Sequence, residues 1–386
     1  MSKFYCGRGN NVSYKDCMNL LNTSFNFTTP DKEFITLLPK LYREELRPQD
    51  QNFVVIDENG ALTAAVGAYD HELRVCGRTL HCRGIGNVAV HPEHRSKGYM
   101  NMAMDSAMRD MINDGVVIST LGGRRQRYLY FGYDKAGPMY QFAISRPNIR
   151  HVFRGAQAPF TVREITDACD PIIDSIIALN EKQPFTPVRK REEYLNIAKS
   201  WRARLFAVED GERFVGYLII NRGNTVTEIE LENDSEFLST VHSLYTYLDA
   251  EFSVNLQPHQ LSYRKALAPI AESLSINTTM HFNVLNYRAV ADAFLALKLT
   301  YDSLPDGEIS LLIHGYAGDE RISISVKDGV GSVRKIDEST PVDYELSHAE
   351  AIAFIFAPIS PLRECAGSLA KLYFPLPISM RHADEV

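Results

Sequence analysis

The sequence predicts an α+β (mixed α/β) protein. Two mixed-sheet units, residues 1–150 and 151–283, precede a smaller α+β domain over 284–386. Three observations carry this reading. An apolar strand pattern ending at His91-Pro92 passes through a basic turn into a helical pattern that runs to Asp114. A strand, an acidic-Gly turn and a second strand at 53–69 return at 205–217. Beyond residue 284 the order changes to a helix, alternating strands and a capped helix.

In chain order, 14–25 carries Cys17, Leu20, Leu21 and Phe25 at helical spacing. The pattern breaks at 28–31 and resumes over 34–46. Residues 53–56 and 61–69 flank Asn59-Gly60, a hairpin signal, and 73–82 reads as another hairpin. After the strand that ends at His91, Met100, Ala103, Met104, Ala107, Met108 and Met111 lie on one helical face, and Gly115 stands where a C-terminal cap belongs. Strands follow at 116–121 and 138–144, then helices at 172–179 and 191–201. The repeated hairpin leads to a strand over 227–231 and an acidic helix start, with Asp234 and Glu236 as caps. In the last part, 287–297 is helical, 309–313 and 322–326 are strands, and Ser347 with Glu350 forms a capping box.

Composition narrows the function. The chain has 386 residues, 45% hydrophobic and 23% charged, with a formal charge of −7. That balance gives no general affinity for nucleic acid and mildly suits cationic substrates. The six cysteines form no CxxC or His/Cys cluster, so a reduced compartment and no metal are expected. No signal-type leader and no apolar run of ~18 residues are seen. A cytoplasmic protein without a membrane partner is the resulting expectation.

The basic turn is suited to a phosphate. The first amides of a helix lack intrahelical partners, and the helix dipole adds positive charge there. Arg95 and Lys97 add formal charge, Gly98 removes a Cβ from the path, and no acid occurs from Ser96 to Met104. An ordinary basic helix start would show the same residues.

Arg95-Ser96-Lys97-Gly98-Tyr99-Met100 resembles the acetyl-CoA signature of the GNAT acetyltransferase superfamily, Q/R-x-x-G-x-G/A, with Met100 departing at the last position. Tyr128, four residues before Gly132-Tyr133, matches the family's tyrosine near the thioester sulfur. The resemblance implies acetyl-CoA as co-substrate. Backbone groups of Val88, Ala89 and Val90 would hold the pantetheine arm, and Arg95, Ser96, Lys97, Gly98, Tyr99 and Met100 the pyrophosphate. Tyr128 would be the general acid. The second unit, with Glu232-Asn233-Asp234-Ser235-Glu236 at the matching turn, is expected to bind no CoA.

The three-part order resembles the Eis (enhanced intracellular survival) family of aminoglycoside and amine acetyltransferases, with tandem GNAT units and a sterol-carrier-protein-like C-terminal domain. This implies an N-acetyltransferase acting on a primary amine of a small molecule (aminoglycoside- or polyamine-like) or a peptide lysine. It also implies a homo-oligomer, trimer or hexamer, and a catalytic role for the carboxylate of Val386 at the chain terminus. Arg124, Arg125 and Arg127 depart from what a polycationic substrate would suit; they would grip CoA phosphates or an anionic substrate, or simply be solvated. His91 and His94 read as structural or exposed. A catalytically silent CoA-binding sensor or scaffold is the competing class, and lipid binding by the third domain a weaker one.

Overall fold

The computed structural model describes residues 4–27 and 33–386, so the break expected at 28–31 lies outside it. The architecture is mixed α+β. One sheet holds β1 (Tyr5–Arg8), β2 (Asn52–Ile56), β3 (Leu62–Val75), β4 (Arg78–Val90), β5 (Ile118–Leu121), β6 (Asp134–Ile144), β7 (Thr161–Ile165), β8 (Phe185–Pro187), β9 (Arg204–Asp210), β10 (Arg213–Ile220), β11 (Thr225–Leu231), β12 (Phe252–Leu256) and β13 (Ser273–Val284). Their order is β1-β2-β3-β4-β5-β13-β6-β12-β11-β10-β9-β7, with β8 against β3.

The repeat seen in sequence is a repeat of topology. β2, β3 and β4 form an antiparallel meander, the helix Tyr99–Asn113 follows, and β5 returns parallel to β4. Likewise β9, β10 and β11 are antiparallel, the helix Phe237–Leu248 follows, and β12 lies parallel to β11. The next strand of each unit then crosses over. β6 pairs with β12, β13 pairs with β5, and the two pair with each other. Each unit thus covers the sheet edge the other would leave bare. The expected boundary at residue 150 falls inside the helix Arg146–Val152, and the sheet runs on past it.

Strand alternation explains how helices cover both faces of the first unit. Phe53, Val55, Ala64 and Val66 face one core with Ala103, Met104, Ala107, Met108 and Met111. Val54, Ala65 and Ala89 face the other, with Cys17, Leu20 and Leu21 of the helix Tyr14–Ser24. Ser13 caps that helix by accepting from the Asp16 amide at 3.1 Å.

Three expectations are corrected. The helix expected over 34–46 is only Phe34–Leu37, followed by a short 3-10 turn at Glu44–Leu46. Leu38 precedes Pro39, whose ring disfavours helical backbone at the preceding residue, and Leu38 lies at φ −134°. The helix expected over 191–201 is three short pieces, 3-10 at Arg191–Glu193, α-helix at Tyr194–Ala198 and 3-10 at Ser200–Arg202, where Trp201 takes φ +59°. At the acidic turn Asn233 caps a 3-10 turn, Asp234–Glu236, accepting from the Ser235 amide at 3.1 Å, and Glu236 stands at the N-cap position of the helix Phe237–Leu248 without a side-chain cap bond.

The last region packs β14 (Gly307–Gly315), β15 (Gly318–Lys327), β16 (Val330–Lys335) and β17 (Tyr344–Ser347), in the order β16-β15-β14-β17, against the helices Tyr287–Leu299 and His348–Phe356. The Ser347 amide donates to the Glu350 carboxylate at 2.9 Å, one arm of the expected capping box. Its core is shared with Leu73, Val75, Leu80 and Cys82 at the β3–β4 hairpin end. No helix among the described residues is long and apolar enough to cross a membrane.

Candidate active site

β4 is the spine of the site. Its pairing with β3 steps from Gly67↔Gly86 to Ala65↔Ala89, so Val66 opposes both Asn87 and Val88. Such a bulge takes backbone groups out of the ladder and bends the strand. Side chains hold it in place. Asn87 Oδ1 accepts from the Tyr42 and Tyr69 hydroxyls, each at 2.7 Å, and Asn87 Nδ2 donates to Asn52 Oδ1 at 2.7 Å. β5 pairs with β4 only as far as Ile85↔Leu121, while β4 continues to Val90. Past that point the chain leaves through Gly122 and Gly123, and the strands part.

Two cavities occupy the opening. One, of about 590 Å³, is lined by the bulged end of β4 and the start of the helix Tyr99–Asn113. Val88, Ala89, Val90, Arg95, Ser96, Gly98, Tyr99 and Met100 all line it, and Lys97, exposed on the same turn, does not. Gly98 caps the helix at φ +79°, Ser96 lies at φ +65°, and no acid occupies the first helical turn. A Cβ on Gly98 would meet no described protein atom within 4 Å, so the space beside it is open. The unpartnered amides and the open approach fit a pyrophosphate.

The second cavity, about 570 Å³, shares Phe25, Val88 and Arg127 with the first and contains both residues expected to be catalytic, Tyr128 and Val386. Tyr128 is buried, at the end of the short helix Arg125–Tyr128. Burial pushes its phenol up, and the neighbouring Arg127 guanidinium opposes this without cancelling it. The phenol therefore holds its proton at neutral pH. The turn after it is braced from the last region. His348 accepts the Tyr316 amide on Nδ1 at 3.1 Å, which leaves Nε2–H to donate to the Gly132 carbonyl at 2.9 Å.

Val386 reaches β4 through two glycines. A Cβ on Gly84 would stand 2.5 Å from a Val386 methyl, and one on Gly86 would stand 3.3 Å from the Val386 carboxyl carbon. The preceding residues are tied down on three sides. Lys40 Nζ donates to the carbonyls of Ala383 at 2.6 Å and Glu385 at 2.7 Å, and Trp201 Nε1 donates to Glu385 O at 3.2 Å. Arg189 holds Asp384 at 2.7 Å and Glu228 at 2.8 and 2.7 Å, while Arg381 reaches Glu230 at 2.7 Å. Burial foremost lowers Lys40 to about 8. Burial alone would raise Glu228, but Arg189 and Arg381 outweigh it and hold the carboxyl at about 2.

Sequence reasoning missed this buried cluster. In Thr225-Val226-Thr227-Glu228-Ile229-Glu230-Leu231 polar and apolar residues alternate as in a half-exposed strand, so the burial of Glu228 and Glu230 left no local signal.

The three arginines separate. Arg125 pairs with Asp134, with its NH2 group 2.7 Å from the carboxylate. Arg124 and Arg127 line the cavity around Tyr128 and form no ion pair with a carboxylate among the described residues. His91 Nδ1 accepts from the Glu93 amide at 3.4 Å. His94 lies 3.9 Å from Asp57, lines the helix-start cavity, and belongs to no candidate metal group among the described residues.

Residues 9–136 match the family model described as the Acetyltransferase (GNAT) domain. Over that span the sequence is similar to GNAT acetyltransferase domains. No curated protein matches the sequence. Solved structures share its fold over nearly the full length. The GCN5-related N-acetyltransferase from Kribbella flavida aligns at 17% identity and TM-score 0.68, covering 100% of this chain and 98% of its own. That from Anabaena variabilis ATCC 29413 aligns at 13% and 0.66, covering 98% of each chain. Eis1 from Mycobacterium abscessus aligns at 13% and 0.57, also covering 98% of each. At these identities the likeness is one of fold.

Proposed function

We propose that the protein is an acetyl-CoA-dependent N-acetyltransferase of the Eis type, acting on a primary amine. The observation that carries this is the meeting of two cavities at Val88 and Arg127, one at an acid-free helix start and the other holding Tyr128 and Val386. Acetyl-CoA would supply the acetyl group as an activated thioester.

The chain's own residues have these roles. Amides from Ser96 to Met100 hold the pyrophosphate. Backbone groups of Val88 to Val90 orient the pantetheine arm, and an amide released by the bulge stabilises negative charge developing on the carbonyl oxygen. The amine forms the new C–N bond as the C–S bond breaks. The departing sulfur takes its proton from Tyr128. In a chain that ends at Val386, the α-carboxylate takes the amine's proton, directly or through water. The products are an acetamide and the free thiol of CoA. We read the second unit as a GNAT-like frame without a CoA site, the last region as sterol-carrier-protein-like, and the assembly as a homo-oligomer.

Thiol release from acetyl-CoA with a panel of primary amines tests the reading. Amine-dependent thiol, abolished or strongly reduced in Tyr128→Phe, supports it. CoA binding without turnover on any amine would instead favour a sensor or scaffold.

A further inference from the structure

The Tyr128 cavity is lined by groups of both charges and by apolar surface. Arg124 and Arg127 come from the chain that leaves β5. Glu385 and Val386 come from the C-terminal tail seated on β4. Phe25, Phe34, Leu38, Ile85, Trp201 and Met280 also line the cavity. Glu385 has a partner within the protein, His382 Nδ1 at 3.1 Å. The two guanidiniums have no carboxylate partner among the described residues, although their neighbour Arg125 has one in Asp134.

We propose that the acceptor is an amine with an apolar, preferably aromatic, body that also bears an anionic group of the carboxylate kind. The amine lies toward Glu385 and Val386, and the anion toward Arg124 and Arg127. Guanidinium presents parallel N–H donors that match a carboxylate, which makes the pair both selective and strong. An acceptor with a second cationic group in place of the anion would set like charges together in a part-enclosed cavity, where repulsion is screened less than in water. The aminoglycoside- or polyamine-like acceptor is therefore disfavoured. The proposal rests on the acetyl transfer above, whose chemistry it specifies.

The test uses one skeleton with three ends: para-(aminomethyl)benzoate, its methyl ester, and para-xylylenediamine. Turnover is followed by thiol release at saturating acetyl-CoA, and equilibrium binding of each amine is measured separately with CoA bound. The acid should exceed the ester by about tenfold or more in kcat/KM and in affinity, with the diamine weakest. Arg124→Ala and Arg127→Ala, both changes at exposed positions, should collapse the acid-to-ester ratio toward one. Arg124→Glu should reverse the order in favour of the diamine. A wild-type preference for the diamine, or equal use of acid and ester, overturns the proposal. So does a rise in the acetyl-CoA KM of Arg127→Ala with the acid-to-ester ratio intact, since the guanidinium would then serve the cofactor. If no amine turns over while the acid still binds best, the selectivity stands and the proposed reaction falls.

Discussion

The two meander-and-helix frames share a topology and use it in opposite ways. In the first, β4 bulges, the helix start is basic and capped by Gly98, and a cavity lies against the free amides. In the second, the helix start is acidic and already occupied. Asn233 caps the 3-10 turn leading into it, Arg213 pairs with Glu236 at 2.8 Å, and Lys182 pairs with Glu232 at 3.0 Å. The strand leading to it, β11, buries Glu228 and Glu230 under Arg189 and Arg381, which fix the tail that enters the first unit's cavity. One frame leaves its helix-start backbone open to a cavity, while the other anchors the tail that lines the neighbouring one. The difference lies in where glycine, basic and acidic residues fall on the same frame.

The largest effect should come from Gly98→Val. No described protein atom obstructs its Cβ, so the fold pays only for a valine at φ +79°, about 1–2 kcal/mol. The added side chain occupies the pyrophosphate's approach, and CoA binding should be lost in titration calorimetry. Full affinity in a folded variant would remove the first frame's distinction.

Next, Glu228→Gln should destabilise the protein by about 3–5 kcal/mol in denaturant melts, because Arg189 and Arg381 lose a buried charge partner. The pH dependence has a defined sign. Glu228 sits at about 2 when folded and near its ordinary value of 4.5 when unfolded. Its stabilisation is thus complete above about 4.5 and lost as pH falls from there toward 2. The variant should show a flatter acid limb than wild type; parallel limbs would mean the carboxyl is not held low by its arginines.

Tyr128→Phe removes the proton donor and leaves the ring, so turnover should fall about 100-fold with CoA affinity kept. Extending the chain beyond Val386 should lower turnover about tenfold without loss of CoA binding. Undiminished activity in the extended protein would show that the second frame anchors a bystander. The smallest effect is expected at the second helix start. Glu236→Gln breaks an exposed pair with Arg213, costing about 0–1 kcal/mol, and should create no CoA site; a new binding event there would erase the contrast between the frames.

Local patterns in the sequence were enough to place most elements. Helical spacing at Met104, Met108 and Met111, the turn at Asn59-Gly60 and the Ser347–Glu350 box depend on residues within a few positions of one another. So does the basic turn at 95–100. The failed helix over 34–46 was also legible, since Pro39 forbade it, but the apolar spacing was given more weight than the proline. What no local pattern contained was the exchange of β6 and β13, the partners of Asn87 in Tyr42, Tyr69 and Asn52, and the meeting of Lys40, Arg189, Glu228 and Asp384 around the tail. Each joins residues tens to hundreds of positions apart. The sequence determined a basic turn leading into an acid-free helix start and the alternation of Glu228 and Glu230 with apolar residues on β11. Only the tertiary structure decided which charges meet and which arginine, Arg125, is taken up by the fold. Pairing between distant groups follows from packing the sheet and its edges, and local spacing carries no record of it.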